Sequence, residues 1–405
     1  MTSDPNAASD PPSVPDANLL WRAPAETPNT DSLAHSDRKS GVPPVMEDSA
    51  SSLSAHETTG WKPVVHDRLE ANPPSKLSGL AETPPPAAAD ELPLSSLIAQ
   101  MRHEIRQVIL GQDTVIEQVL AAFLAGGHVL LEGKPGLGKT YLVTTLARTF
   151  GGVSARIQFT PDLMPSDVTG FRMFDMKSQT FQLRRGPVFT HLLLADEINR
   201  APAKTQSALL EVMQERQVTI DGETLHLEPP FMTLATQNPI EHEGTYPLPE
   251  AQLDRFIMKV LMDYPDHEAE CEIVARASAE CPGWEVGSVR RVCGPAAIVA
   301  GQLATAAVQV VPEVLAYAVA LTQATRDARA IALGAGTRGA ISLVRIGKAF
   351  AALDGRDFVI PDDIKRAALP VLRHRVQLTP EVAISGQDVD DVLLAIIESV
   401  PAPRQ

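Results

Sequence analysis

Cysteine is scarce in this chain. Three occur in 405 residues, Cys271, Cys281 and Cys293, with no C-x-x-C pair and no Cys/His metal spacing. That excludes a disulfide scaffold and a cysteine-based zinc site. An odd count spread through a helical region reads as reduced thiols in a cytoplasmic protein. No apolar run approaches the ~18 residues that cross a membrane. The nearest, over 92–110, is broken by Arg102, His103, Glu104 and Arg106, so no stable membrane insertion is expected. The first residues carry acids and prolines where an export signal carries basic and apolar ones, and a cytoplasmic location is expected. Basic excess is missing too. The net charge is −15 with no compensating basic block, which argues against a general nucleic-acid binder.

Proline is not scarce, but it is unevenly spread. Residues 1–90 hold 14 of the 34 prolines among Ser, Asp, Ala and Thr. Their apolar residues follow neither a helical nor a strand period, and such a segment buries too little surface to offset its ordering entropy. It reads as a disordered, mildly acidic tail. Trp21, after Leu19-Leu20, and Trp61 are the two places where a short docking motif could sit.

From Leu94 the pattern changes. Leu97, Met101, Ile105, Val108 and Ile109 follow helical spacing, and 113–124 reads as a second amphipathic helix after a break at Gly111-Gln112. Strands read at 129–131, 156–159, 192–195, 231–235 and 256–261 then alternate with helical stretches. That alternation predicts an α/β fold, a parallel five-stranded sheet with helices on both faces. After Asp266 the strands are expected to stop, leaving helices over 268–279, 295–308, 312–326, 340–353, 361–375 and 388–399. The expected organisation is a tail (1–90), an α/β nucleotide core (91–265) and an all-α lid (266–405).

The most informative run is Gly133-Lys134-Pro135-Gly136-Leu137-Gly138-Lys139-Thr140. It fits G-x-x-x-x-G-K-[ST], between a buried strand and a helix, the context such a phosphate-binding loop requires. The glycines let backbone N–H groups turn around a phosphate, and the helix N-terminus adds partial positive charge. Lys139 then reaches the β- and γ-phosphates of ATP, and the Thr140 hydroxyl holds Mg²⁺. About 55 residues on, an apolar strand ends in Asp196-Glu197. There Asp196 suits a carboxylate holding Mg²⁺ through water, and Glu197 suits the base that polarises the attacking water.

With these motifs placed, the chain resembles the MoxR family of AAA+ ATPases. The resemblance runs from about Leu94 to the C-terminus, carried by 126–140, 156–170, 186–222, 232–256 and 353–364. It implies an AAA+ core with a helical lid, Mg²⁺-dependent ATP hydrolysis and homo-oligomeric, hexameric rings. It also implies a partner bearing a von Willebrand factor type A domain and a client protein to be remodelled or matured, in metal or cofactor insertion. By the same resemblance Asn238 takes the sensor-1 place, just after the strand 231–237, which is expected to lie between the Lys139-loop strand and the Asp196 strand. Arg255 takes the arginine-finger place, reaching a neighbour's γ-phosphate, and Arg338 the sensor-2 place. The family's usual Ser-Pro before that arginine is Gly336-Thr337 here, and Thr337 can cap the helix instead. Gly111 and Gln112 match the stretch beside the adenine pocket.

Residues 161–187 look like the family's helix-2 insert, interrupting the second helix with a hairpin of 171–174 and 180–183. Residues 217–220 and 224–227 form a second, with Asp221-Gly222 as a type I′ turn. A magnesium-chelatase-like motor subunit, a DNA-acting AAA+ ATPase and a non-hydrolysing nucleotide switch are the alternatives.

Overall fold

The computed structural model describes residues 93–134, 136–237, 246–278 and 288–403. The tail, Pro135, Asn238 and Cys281 lie outside them. Two helices open the described chain, α1 (Leu94–Val108) and α2 (Asp113–Leu124). Strand β1 (Val129–Gly133), helix α3 (Lys139–Thr149), strand β2 (Ser154–Gln158), helix α4 (Pro165–Thr169) and the hairpin β3 (Gly170–Asp175)–β4 (Thr180–Arg185) follow. Next come β5 (Leu192–Asp196), α5 (Ala203–Glu215), the hairpin β6 (Gln217–Ile220)–β7 (Glu223–His226), β8 (Met232–Gln237), α6 (Glu250–Leu253) and β9 (Met258–Met262). Helix α7 (His267–Ser278) leads to the lid: α8 (Pro295–Ala307), α9 (Pro312–Asp327), β10 (Ile331–Leu333), α10 (Thr337–Leu353), α11 (Pro361–Leu372), β11 (Gln377–Leu378), α12 (Pro380–Ile384) and α13 (Val389–Ser399).

The five strands form one parallel sheet in the order β2-β5-β8-β1-β9. Strand β8 thus lies between β1 and β5, as the motif reading requires. Alternate residues feed two cores, because side chains alternate across a strand. Val129, Leu131, Leu192, Leu194, Met232 and Leu234 face one cluster with α1, α2, α3 and the lid. Leu130, Leu193, Ala195 and Ala235 face the other, with Leu209, Leu210 and Met213 of α5. Burial on both faces is why these strands read as continuous apolar runs rather than alternating ones. The first cluster runs unbroken into the lid through Leu343, Ile346 and Phe350 of α10.

Three local expectations are corrected. The strands do not stop at Asp266, since β10 and β11 pair antiparallel within the lid. With three and two residues, neither is long enough to show a period. Thr337 does not cap α10: it is the first helical residue, Gly336 is the N-cap, and no side chain caps it. The insert does not split a long helix either. Helix α4 is five residues, and the chain passes from β4 to β5 through turns with no helix resumed.

Both hairpins are present. In the first, Phe174 pairs with Phe181, their ring centroids 5.2 Å apart. In the second, Asp221 and Gly222 both have positive φ, 49° and 83°, the signature of a type I′ turn. Arg172 of β3 pairs with Glu223 of β7, joining the two.

The C-terminal end of α2 is a junction. Its last carbonyls have no intrahelical partner. Gln302 of α8 donates to the Phe123 carbonyl at 2.7 Å, Arg345 of α10 to that of Ala125, and Arg216 to that of Gly126 at 3.0 Å. Arg216 is the left-handed C-cap of α5 and leads into β6. Two cations at a helix C-terminus also complement its dipole.

Candidate active site

Strand β1 ends against β9, where a Cβ on Gly133 would stand 2.4 Å from the Met262 carbonyl oxygen. Only glycine fits this close approach. Gly136 and Gly138 have φ of +85° and +83°, with nothing within 4 Å of where a Cβ would sit. The loop backbone is thus bare toward open space. Gly138 is the N-cap of α3 and offers no side chain, so the helix's first N–H groups are left for an anion.

Lys139 opens α3, and its Nζ donates to the Gly133 carbonyl at 2.5 Å. Burial pushes its pKa down, against the pull of Asp196, Glu197 and Glu132. Asp196 ends β5. Its Oδ1 accepts from the Thr236 hydroxyl at 2.6 Å, and its Oδ2 from Arg156 Nη2 at 2.7 Å. Glu197 follows in left-handed conformation, φ 56°. Its N–H donates to Thr236 Oγ1 at 2.8 Å, and its Oε2 accepts from Gln158 Nε2 at 2.7 Å and pairs with Arg200 Nε at 3.0 Å. Thr236 thus holds the Asp196 carboxylate and the Glu197 backbone from the neighbouring strand, while Gln158 and Arg200 hold the Glu197 carboxylate.

These groups line a cleft of about 580 Å³ with Gly133, Gly136, Leu137, Gly138 and Thr140. Its other wall is apolar, from Ile109, Leu110, Tyr264, Pro265, Ile273 and Val274. Gln112 lines it as well and donates to the Asp263 carbonyl at 2.7 Å. Gly111 has φ +68°, and a Cβ there would lie 2.8 Å from that of Pro265. Lys134 stands 4.8 Å over the Tyr264 ring.

The donor set fits a nucleoside triphosphate with a divalent cation. A lysine, bare loop N–H groups and two acids stand at one end, and an apolar slot suits a base at the other. No group of three His, Cys, Asp or Glu side chains suited to a metal occurs among the described residues. Mg²⁺ is held by one or two protein oxygens plus phosphate and water, and Thr140 and Asp196 on this cleft's wall are oxygen donors of that kind.

Arg255 and Arg338 do not line this cleft. They meet at a second one of about 210 Å³ with Arg216, Arg345, Arg375 and Asp254. Arg255 Nη1 donates to the Leu210 carbonyl at 2.8 Å. Arg338, with its side chain 51% exposed, points Nη1 at Asp254 Oδ2, 3.6 Å away. Sequence reasoning missed Arg156, Gln158, Arg200, Thr236 and Arg375. The first four lie inside the segments that carry the family resemblance, but the neighbour relation of β2, β5 and β8 is what brings Arg156, Gln158 and Thr236 to the two acids, and the turn after β5 what brings Arg200.

The family model "ATPase family associated with various cellular activities (AAA)" matches residues 128–258, and "AAA lid domain" matches 323–396. The chain is 42% identical over 312 residues to the uncharacterized protein YeaC of Bacillus subtilis, covering 77% of this chain and 97% of that one. It is 40% identical over 334 residues to the chaperone MoxR1 of Mycobacterium tuberculosis, covering 80% and 87%. A crystal structure from Cytophaga hutchinsonii superposes with a TM-score of 0.72 at 41% identity, covering 77% of this chain and 96% of that one.

Proposed function

Because this chain belongs to the MoxR family of AAA+ ATPases, we propose that it hydrolyses ATP with Mg²⁺ in a homo-oligomeric ring and uses the cycle to remodel or mature a client protein. The observation that carries this is the pairing of two clefts of opposite character in one chain. One holds a lysine, two acids and a phosphate-binding loop; the other gathers five arginines around Asp254. In the proposed ring, the arginine cleft of one copy faces the nucleotide held by the loop of the next.

Within the first cleft, the loop from Gly133 to Thr140 and the Lys139 ammonium bind the β- and γ-phosphate oxygens. Thr140 and Asp196 would hold Mg²⁺, which would supply charge neutralisation to the phosphates when bound. Glu197, oriented by Thr236 and Gln158, takes the proton from the attacking water. Asn238 helps position that water. Ile109, Leu110, Gln112 and Tyr264 surround the base, beside Gly111. Arg255 and Arg338 of the adjacent copy meet the γ-phosphate, where negative charge builds in the transition state.

The work is done on a client protein, and the family's use of partners with a von Willebrand factor type A domain makes such a protein the expected adaptor. The β3–β4 and β6–β7 hairpins, linked through Arg172 and Glu223, are the proposed contacts. Phosphate release measured alongside sedimentation tests the core of this reading. ATP should drive assembly, and turnover should rise with assembly. A monomer with full turnover would sink the ring and its shared site together.

A further inference from the structure

Arg375 lies just past α11, and its side chain is only 2% exposed. Its guanidinium is spent on one short stretch of the core. Nε donates to Asp254 Oδ1 at 2.7 Å, Nη2 to the Phe256 carbonyl at 2.6 Å and the Asp254 carbonyl at 3.4 Å, and Nη1 to the Ile257 carbonyl at 3.2 Å. Two more bonds tie it to the lid: Nη1 to the Val371 carbonyl at 2.6 Å and Nη2 to Ser342 Oγ at 3.2 Å. His374 beside it bonds the Phe256 carbonyl through Nε2 at 3.1 Å. The clamped stretch, 254–257, joins α6 to β9 and carries Arg255. The second oxygen of Asp254 faces Arg338 at 3.6 Å. One carboxylate therefore stands between a buried guanidinium held by five further bonds and an exposed one.

We propose that Asp254, anchored by Arg375, is a positioning residue that fixes both Arg255 and Arg338 on the face offered to the nucleotide phosphates of a second copy of this chain. The inference rests on the shared-site reading above. An arginine side chain loses substantial rotamer freedom when it is ordered. Donors aimed before the reaction cost no reorganisation during it. Asp254 places that ordering in the resting subunit. It also makes the arginine face a joint product of core and lid, since the clamp on the Arg255 turn comes from the lid.

Asp254→Asn keeps the shape and removes the charge. Expected are assembled oligomers, ATP affinity within about twofold of wild type, and kcat lowered about tenfold or more, the pattern of an interaction used in the transition state. Mixed oligomers, made by co-expressing two differently tagged full chains, read out the side on which the defect acts. With Lys139→Ala, Asp254→Asn should recover turnover, because its intact loop meets an intact arginine face. With Arg255→Ala it should recover none, because both faces are defective. Asp254→Glu, which keeps the carboxylate, should retain most of the rate, and if Asp254→Asn does not assemble, Asp254→Ser, which also removes the charge, carries the same mixed-oligomer comparisons. Wild-type kcat in Asp254→Asn, or weakened ATP binding, overturns the proposal. So does failure to recover with Lys139→Ala when Arg255→Ala recovers with it. If Arg255→Ala also fails to recover with Lys139→Ala, the shared-site reading falls and this inference falls with it.

Discussion

The two clefts differ in how they are built. The polar half of the Lys139 cleft is made by the sheet and the loops at its strand ends, where parallel α/β folds gather ligands, and its apolar wall by the turn after α1 and by α7. Its charges are balanced internally: Arg156 sits on Asp196, Gln158 and Arg200 on Glu197, and Lys139 on a carbonyl. The Arg255 cleft is made by core and lid together and is unbalanced, with Asp254 the acid among five arginines. A balanced site holds its reactive groups until a ligand arrives. An unbalanced one is a standing demand for an anion, and the supply proposed here is the phosphate end of a neighbour's nucleotide.

Breaking the unbalanced side gives the largest expected effect. Arg255→Ala should bind ATP nearly as wild type yet lose about 10³- to 10⁵-fold in turnover, the usual worth of an arginine finger. Equilibrium nucleotide binding and phosphate release on the same oligomer check it. Equal turnover would remove Arg255 from the chemistry. On the balanced side, Glu197→Gln should retain ATP and lose about 10²- to 10⁴-fold in rate, since geometry survives and the base is gone. A client held only in that ATP-bound state would be captured by the same variant.

An acid titration sharpens the comparison from beneath both clefts. His128 is fully buried at the foot of the arginine cleft, between the Met213 carbonyl at Nε2 and the Thr233 N–H at Nδ1. Burial lowers its pKa from 6.5 to about 4. The unfolded chain therefore binds this proton first. Stability is unaffected above pH 6.5 and falls as pH drops from 6.5 toward 4, by about 3 kcal/mol at the 1.36 kcal/mol per unit of linkage. Protonation also converts Nδ1 from acceptor to donor, against the Thr233 N–H. Melting temperature against pH should show this slope, and because burial also holds the pKa of His374 well below 6.5, His128→Gln should reduce the slope and leave the part that His374 supplies. The smallest effect is expected for Arg156→Ala. Its pair with Asp196 is half exposed on the arginine side, and such pairs contribute about 0–1 kcal/mol. The KM for Mg-ATP should shift by about fivefold or less, and a loss of 100-fold would mean that Arg156 touches the nucleotide.

The balanced cleft was largely legible in the sequence, and the unbalanced one was not. Lys139, Asp196 and Glu197 announce themselves because backbone geometry fixes their spacing: glycines at set offsets, then an apolar strand ending in acids. The Asp221-Gly222 turn was legible for the same local reason. The clamp by Arg375 has no such signal, because most of its partners are backbone carbonyls far along the chain, which any sequence supplies. Arg156 and Gln158 read as ordinary polar positions on an edge strand until β5 is placed beside them. The sequence reading placed Arg255 and Arg338 in separate roles. That they share one cleft follows from the lid packing on β9, a contact set by the shared apolar core rather than by any motif.

The junction at the end of α2 has a mechanical consequence. Three side chains from α8, α10 and the foot of the β6–β7 hairpin are bolted to three successive parts of one helix end. Load applied at that hairpin does not dissipate into a loop. It reaches the end of α2 through Arg216 and the lid through Arg345, because the two guanidiniums are held on adjacent carbonyls of that helix end. A pull on the hairpin and a tilt of the lid are then two ends of the same stiff linkage.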